Sequence, residues 1–148
     1  MIAKKFNKKK YLVSTFVGSL IKSGNRTRAV NILQRFLFDI EYAYNVNSID
    51  FLLRLFENIR PKTFLIPKRV AGSTIRIPSP ISTQRSYSIA IKWFLSSVSK
   101  RSGEPFNHLI MYELMDIYSN PTNLTLKKRD EYHKLALLNR PFLRYNRF

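Results

Sequence analysis

Residues 61–80 read PKTFLIPKRVAGSTIRIPSP, from Pro61 to Pro80, and this is the one stretch of the chain without helical patterning. Two short runs rich in β-branched residues, 63–70 and 74–78, flank Ala71-Gly72-Ser73, and a glycine-containing gap of that length reads as a hairpin turn. Pro67 and Pro78 cannot donate a ladder hydrogen bond, which confines both strands to a sheet edge. A two-stranded ribbon is marginal in water on its own. Lys68, Arg69 and Arg76 crowd its tip, where a core would require apolar groups. The ribbon therefore reads as a finger completed by an anionic partner.

The composition agrees. With 148 residues and 45% hydrophobic content, the chain has enough apolar material for a single domain, 1–148, with its own core. Against that core stands a formal charge of +17, from 26 Lys and Arg and 9 Asp and Glu. Self-repulsion of that size opposes the compact state, and nucleic acid is the usual neutraliser. A membrane surface is the other anionic partner to weigh, but no apolar run approaches the ~20 residues of a spanning helix. The absence of cysteine removes disulfides, thiolate nucleophiles and Cys-ligated zinc.

Residues 1–10 read as a basic arm with Lys4, Lys5, Lys8, Lys9 and Lys10, and no acid precedes Asp39. An acid-free start is also a mark of import leaders, but the stripe Leu12, Val13, Phe16, Val17, Leu20, Ile21 begins at once and leaves little room for one. Gly24-Asn25 closes this first helix. Thr27 is expected to cap a second, with Ala29, Leu33, Phe36 and Ile40 inward, and Ser48 a third, with Leu52, Leu53, Phe56 and Ile59 inward until Pro61. Beyond the ribbon, Ser82 caps a fourth helix bearing Tyr87, Ala90, Ile91, Phe94 and Val98. Glu104-Pro105 opens a fifth through Leu114 and Ile117, and a sixth begins near Thr125. Trp93 falls one position off the fourth helix's stripe and is read as core filler rather than a base-stacking ring.

The turn around Arg26 and Arg28 forms a positive corner. Lys127, Lys128 and Arg129 crowd the start of the sixth helix, where the helix dipole opposes them and an outside anion relieves the cost. The tail, 139–148, alternates Arg140, Arg144 and Arg147 with Phe142, Tyr145 and Phe148. Such rings either stack on RNA bases or pack back on the helices. The two histidines, His108 and His133, make a poor metal set, and neither a phosphate loop nor a nucleophile elbow occurs, so no enzyme and no cofactor is expected. The architecture expected is mainly α: a six-helix bundle-like domain with a protruding two-stranded hairpin, 61–80, between helices three and four.

The order of elements and four separated motifs resemble small-subunit ribosomal protein seven, of the bacterial and organellar type. Glu57-Asn58-Ile59-Arg60-Pro61 resembles that family's ending of helix three. Pro67-Lys68-Arg69-Val70-Ala71-Gly72-Ser73-Thr74 with Ile77-Pro78 is similar to its ribbon. Ala90-Ile91-Lys92-Trp93 followed by Lys100-Arg101 is similar to its fourth helix, and Lys128-Arg129 with His133, then Asn139, Phe142 and Tyr145, to its C-terminal motifs. The likeness runs from about Lys10 onward. Ser86 replaces one of two arginines usual beside Arg85, and Gly24-Asn25-Arg26 stands where the family has Gly-Lys-Lys or Gly-Lys-Arg.

The resemblance implies a structural constituent of the ribosome that binds the 3′ major domain of small-subunit rRNA and organises assembly of the head. It places the ribbon near the exit-site tRNA and the mRNA exit channel, with head and platform proteins as neighbours and no membrane or small-molecule substrate. The charges read above and the motif positions together give the expected rRNA contacts. These are Lys8, Lys9, Lys10, Arg26, Arg28, Lys68, Arg69, Arg76, Arg85, Lys100, Arg101, Lys127, Lys128, Arg129, His133, Arg140, Arg144 and Arg147. A composition rich in Phe, Tyr, Asn, Ile and Lys points to a mitochondrial ribosome, with plastid and reduced-bacterial origins as the other readings. Two rivals stand beside this one: a DNA-binding regulator docking a helix in the major groove, against which the Pro-flanked ribbon argues, and a membrane-peripheral helical protein.

Overall fold

The computed structural model describes residues 2–70 and 72–145, with side chains from residue 8 onward. Six helices and one hairpin follow in the order α1 (Ile2–Leu20), α2 (Arg26–Tyr44), α3 (Ser48–Ile59), β1 (Thr63–Val70), β2 (Ser73–Pro80), α4 (Thr83–Val98), α5 (Phe106–Ser119) and α6 (Leu124–Leu138). A short 3-10 helix, Arg140–Tyr145, closes the described chain. The mainly α architecture with a hairpin between α3 and α4 is the one the sequence predicts.

The helix starts differ in detail. Helix α1 begins at Ile2, so the lysine-rich stretch read as an arm continues the helix, in keeping with lysine's good helix propensity. Asn25, not Thr27, caps α2, its side chain accepting from the Arg28 N–H at 3.0 Å. Asn47, not Ser48, caps α3 by accepting from the Asp50 N–H. Asparagine is among the strongest N-caps, and both sit one or two residues ahead of the predicted ones. Ser48 is instead buried and donates to Glu41 Oε1 at 2.6 Å, tying α3 to the end of α2. Ser82 caps α4 as expected. Between α1 and α2 the chain reverses through Ser23 and Gly24, both left-handed at φ 52° and 75°. Only the second of these is a residue that adopts that geometry without strain.

Helix α4 is central, packing on α1, α3, α5 and α6. One phenylalanine from each of α1 to α4 meets at the middle: Phe16 stacks on Phe36 at 6.0 Å between ring centroids, and Phe56 sets its edge against Phe16 at 5.8 Å and Phe94 at 5.7 Å. All four are buried, and all four lie on the apolar stripes legible in the sequence. Buried aromatic pairs in these geometries contribute about 0.5–1.5 kcal/mol beyond their area. The result is a rigid frame on which surface charges are held in fixed directions.

Candidate nucleic-acid interface

The hairpin pairs antiparallel with Pro67 opposite Arg76 and Val70 opposite Ser73. Its direction is set at its base by α4 and α6. The Lys62 N–H donates to His133 Nε2 at 3.1 Å, and the Leu65 N–H donates to the Tyr132 hydroxyl at 3.1 Å. Trp93 presses edge-on against Tyr132 at 5.6 Å, and the Arg85 guanidinium lies 4.0 Å over the Phe64 ring. Trp93 is half-buried, packing against the core rather than lying free on the surface. The 3-10 helix then lies along β2, and Lys68 Nζ donates to the Tyr145 carbonyl at 3.0 Å.

This corrects one reading. The inner half of the ribbon is finished by the chain's own tail and sixth helix, burying Leu65, Ile77, Pro78 and Ser79, because two strands alone leave one apolar face open. Only the outer half, with Arg69, Gly72, Ser73, Thr74 and Arg76 exposed, is left for a partner. In the tail Phe142 and Tyr145 are half-buried, on a 3-10 helix that lies along β2. Arg147 and Phe148 lie outside the described residues.

The expected contacts separate into two groups. Lys10, Arg26, Arg28, Arg69, Arg76, Arg85, Lys100, Lys127, Arg140 and Arg144 are exposed and carry no ion pair to a carboxylate among the described residues. Ser86, next to Arg85, is buried and donates to the Thr83 carbonyl. The other group is engaged inside the molecule. Lys8 and Lys9 face Glu57 and Asp50 at 3.7 and 2.7 Å. Arg129 grips the Asn58 carbonyl and Oδ1 at 2.9 Å and pairs with Asp130, so α6 is bolted to the end of α3. Lys128 Nζ donates to Ser96 Oγ at 2.8 Å, and burial together with the nearby Lys100 lowers its pKa. Burial and the Arg129 charge lower the His133 pKa below its ordinary 6.5, which suits an imidazole that accepts a backbone N–H.

Arg101 is half-buried and points its guanidinium at two carboxylates of α5. It donates through Nε to Glu113 Oε2 at 2.8 Å and reaches Asp116 Oδ2 at 2.7 Å. Glu113 is 1% exposed, and its other oxygen accepts from Thr125 Oγ1 at 2.7 Å. Asn123 caps α6 through the Thr125 N–H and donates its amide to Asp116 at 2.6 Å. Burial works against the Asp116 charge, but the Asn123 and Arg101 hydrogen bonds outweigh it and hold the carboxyl below its usual range. This network joins the end of α4, α5 and the start of α6, and sequence reading missed its members Glu113, Asp116, Asn123 and Thr125. The available signal was a carboxylate, Glu113, on the apolar stripe Ile110, Leu114, Ile117.

The Glu57–Pro61 motif acts as a hub. Glu57 Oε1 accepts from the Tyr87 hydroxyl at 3.2 Å, Asn58 receives Arg129, and Arg60 lies 5.7 Å from the Tyr87 ring. Burial first, then the Glu57 charge, pushes the Tyr87 pKa up to about 12, so this tether stays protonated at physiological pH. At the positive corner a cavity of about 400 Å³ opens between α1, α2, α4 and α5. Leu20, Ala29, Ile32, Leu95 and Phe106 give it an apolar lining, and the exposed Lys22 and Arg28 a charged one. Among the described residues no group of His, Cys, Asp and Glu could hold a metal ion, and no helix is long and apolar enough to cross a membrane.

A rigid helical body, cations without carboxylate partners at one corner and along the outer finger, and motif residues spent on aiming that finger fit a structural protein that binds RNA. Comparison with known sequences gives the family: residues 1–140 match the model for ribosomal protein S7p/S5e, and the chain belongs to it. It is 33% identical over 136 residues to small ribosomal subunit protein uS7 of Herpetosiphon aurantiacus, covering 92% of this chain and 86% of that one. The uS7 of Azorhizobium caulinodans is 30% identical over 134 residues, 90% of this chain and 85% of that one. The chain is thus a non-enzymatic structural constituent of the small ribosomal subunit, in a family that binds small-subunit rRNA and ribosomal proteins.

Proposed function

We propose that this chain docks on the 3′ major domain of small-subunit rRNA, fixes its junctions during head assembly, and presents the outer hairpin beside the exit-site tRNA and the mRNA exit channel. The observation that carries this reading is the projecting half-ribbon whose exposed Arg69 and Arg76 have no carboxylate within the molecule, held on a base that α4, α6 and the tail immobilise. A-form RNA hides its base edges in a deep, narrow groove, so junctions are recognised through shape and phosphate position. Fixed cations on a rigid frame suit that task. The corner cavity, lined by apolar side chains, the Phe106 ring and two cations, suits an unstacked base and its phosphate. The richness in Phe, at 11 residues, and Tyr, at 8, supports a mitochondrial ribosome as the home of the chain, and the relatives named above come from bacteria.

The test is direct binding of the purified chain to a transcript of the small-subunit 3′ domain, titrated across salt, beside a duplex DNA of equal length. The transcript should bind more tightly, with an affinity that falls steeply with salt as counterions return. Equal affinity for the two nucleic acids would overturn the reading.

A further inference from the structure

Cations are spread along most of this chain, yet residues 36–53 and 106–119 contain no lysine or arginine and hold five of the nine acids, of which Asp50 is paired with Lys9 and Glu113 and Asp116 with Arg101. The first stretch covers the second half of α2 and the start of α3, the second is α5, and α2 packs on both of the others. The same region carries six of the twelve exposed large apolar side chains among the described residues: Phe38, Tyr42, Val46, Tyr112, Met115 and Tyr118. Tyr42 is 87% exposed and stacks on Phe38 at 6.5 Å. Tyr118 stacks on Phe51 at 5.1 Å, and Phe51 on Tyr44 at 5.0 Å, so a three-ring pile bridges α2, α3 and α5 at its edge. Asp39 and Glu41 of α2 carry no ion pair among the described residues, and the cations nearest in sequence are Arg35 and Arg54.

RNA is a poor occupant for such a face. A phosphate laid beside Asp39 and Glu41 loses hydration and faces two carboxylates that no cation neutralises among the described residues. A second copy of the chain is also disfavoured, because a two-fold contact sets Asp39 and Glu41 against their own counterparts. A cationic peptide matches it on both counts: guanidinium and ammonium groups attract carboxylates and lie over tyrosine faces, while their aliphatic stems cover exposed rings. Resting on the ribosomal reading above, we propose that the α2–α5 face is the docking site for an extended, lysine- and arginine-bearing segment of a neighbouring protein in the same subunit.

Tyrosine nitration of the free chain, of its complex with the 3′-domain transcript, and of the purified small subunit tests this, together with carbodiimide crosslinking of the subunit. Tyr42 and Tyr118 should nitrate equally in the first two samples and at least tenfold less in the third. Carbodiimide should join Asp39 or Glu41 to lysines of another ribosomal protein. A Tyr42→Arg/Tyr118→Arg chain should still bind the transcript within about twofold and lose most of that crosslink. Protection by the transcript alone, undiminished nitration in the subunit, or crosslinks to a second copy would each overturn the proposal. A chain that fails to bind the transcript and is missing from the subunit would sink the ribosomal reading as well, a result distinct from the other three.

Discussion

Arg101, at the end of α4, and Arg69, near the hairpin tip, are the same side chain in two regions that use it in opposite ways. At the seam between α4, α5 and α6 the guanidinium faces a buried carboxylate and ties the stretch after α4 to α5, whose two acids also receive Asn123 and Thr125 at the start of α6. At the tip no carboxylate is in reach, the strand is exposed, and the charge is left for something outside the molecule. The same division separates Arg129 and Lys128 from Arg26 and Arg28. Basic residues within a recognition motif are therefore not all recognition residues. Some of them build the mount, and the rest are what is mounted.

The sharpest break of this comparison is Arg101→Ala. It leaves the Glu113 carboxylate buried with Thr125 as its remaining partner, so unfolding free energy should drop by about 3–5 kcal/mol, while an Arg101→Met/Glu113→Leu pair should recover much of it. Denaturant titration decides, and an unchanged midpoint would return Arg101 to the RNA-facing group. The complementary break is Arg69→Glu with Arg76→Glu. It should leave the denaturation midpoint in place, weaken binding to the 3′-domain transcript by on the order of tenfold, and lower the salt slope by about 2, roughly one per lost phosphate contact. If the double variant binds as tightly as wild type, the tip is not an RNA contact.

The smallest effect concerns His133. Its folded pKa is depressed, so its contribution to stability is whole above 6.5. It is lost as the pH falls from there through the lowered folded value, because the unfolded chain takes up the proton first. Thermal melts between about pH 5 and 8, the range in which imidazole titrates, should show this slope in the wild type and a flatter one in His133→Gln. Identical slopes would remove His133 from the hairpin mount.

The helical frame was legible because its signal is periodic: Phe16, Phe36, Phe56 and Phe94 stand on stripes that any helix must bury, and Pro61 and Gly72 punctuate the hairpin. Cap positions slipped by one or two residues because asparagines competed with the serine and threonine chosen. The site was only partly legible. Charge and motif identified the cations, but whether each turns in or out depends on acceptors distant in sequence. Glu113 is 12 residues from Arg101, and Asn58 is 71 from Arg129. No local pattern reports such pairings. Likewise, the alternation of Arg with aromatic residues in the tail does not announce that this segment lies along β2, which only the fold reveals.

The hairpin mount also has a bearing on synthesis. The groups that steady residues 62, 65 and 68 come from residues 133, 132 and 145, separations of 71, 67 and 77. As the nascent polypeptide emerges, the finger is translated long before anything that can brace it. Chains cut short before α6 retain Arg69 and Arg76 but lack the brace that directs them, so a prematurely ended product is a weak competitor for assembly.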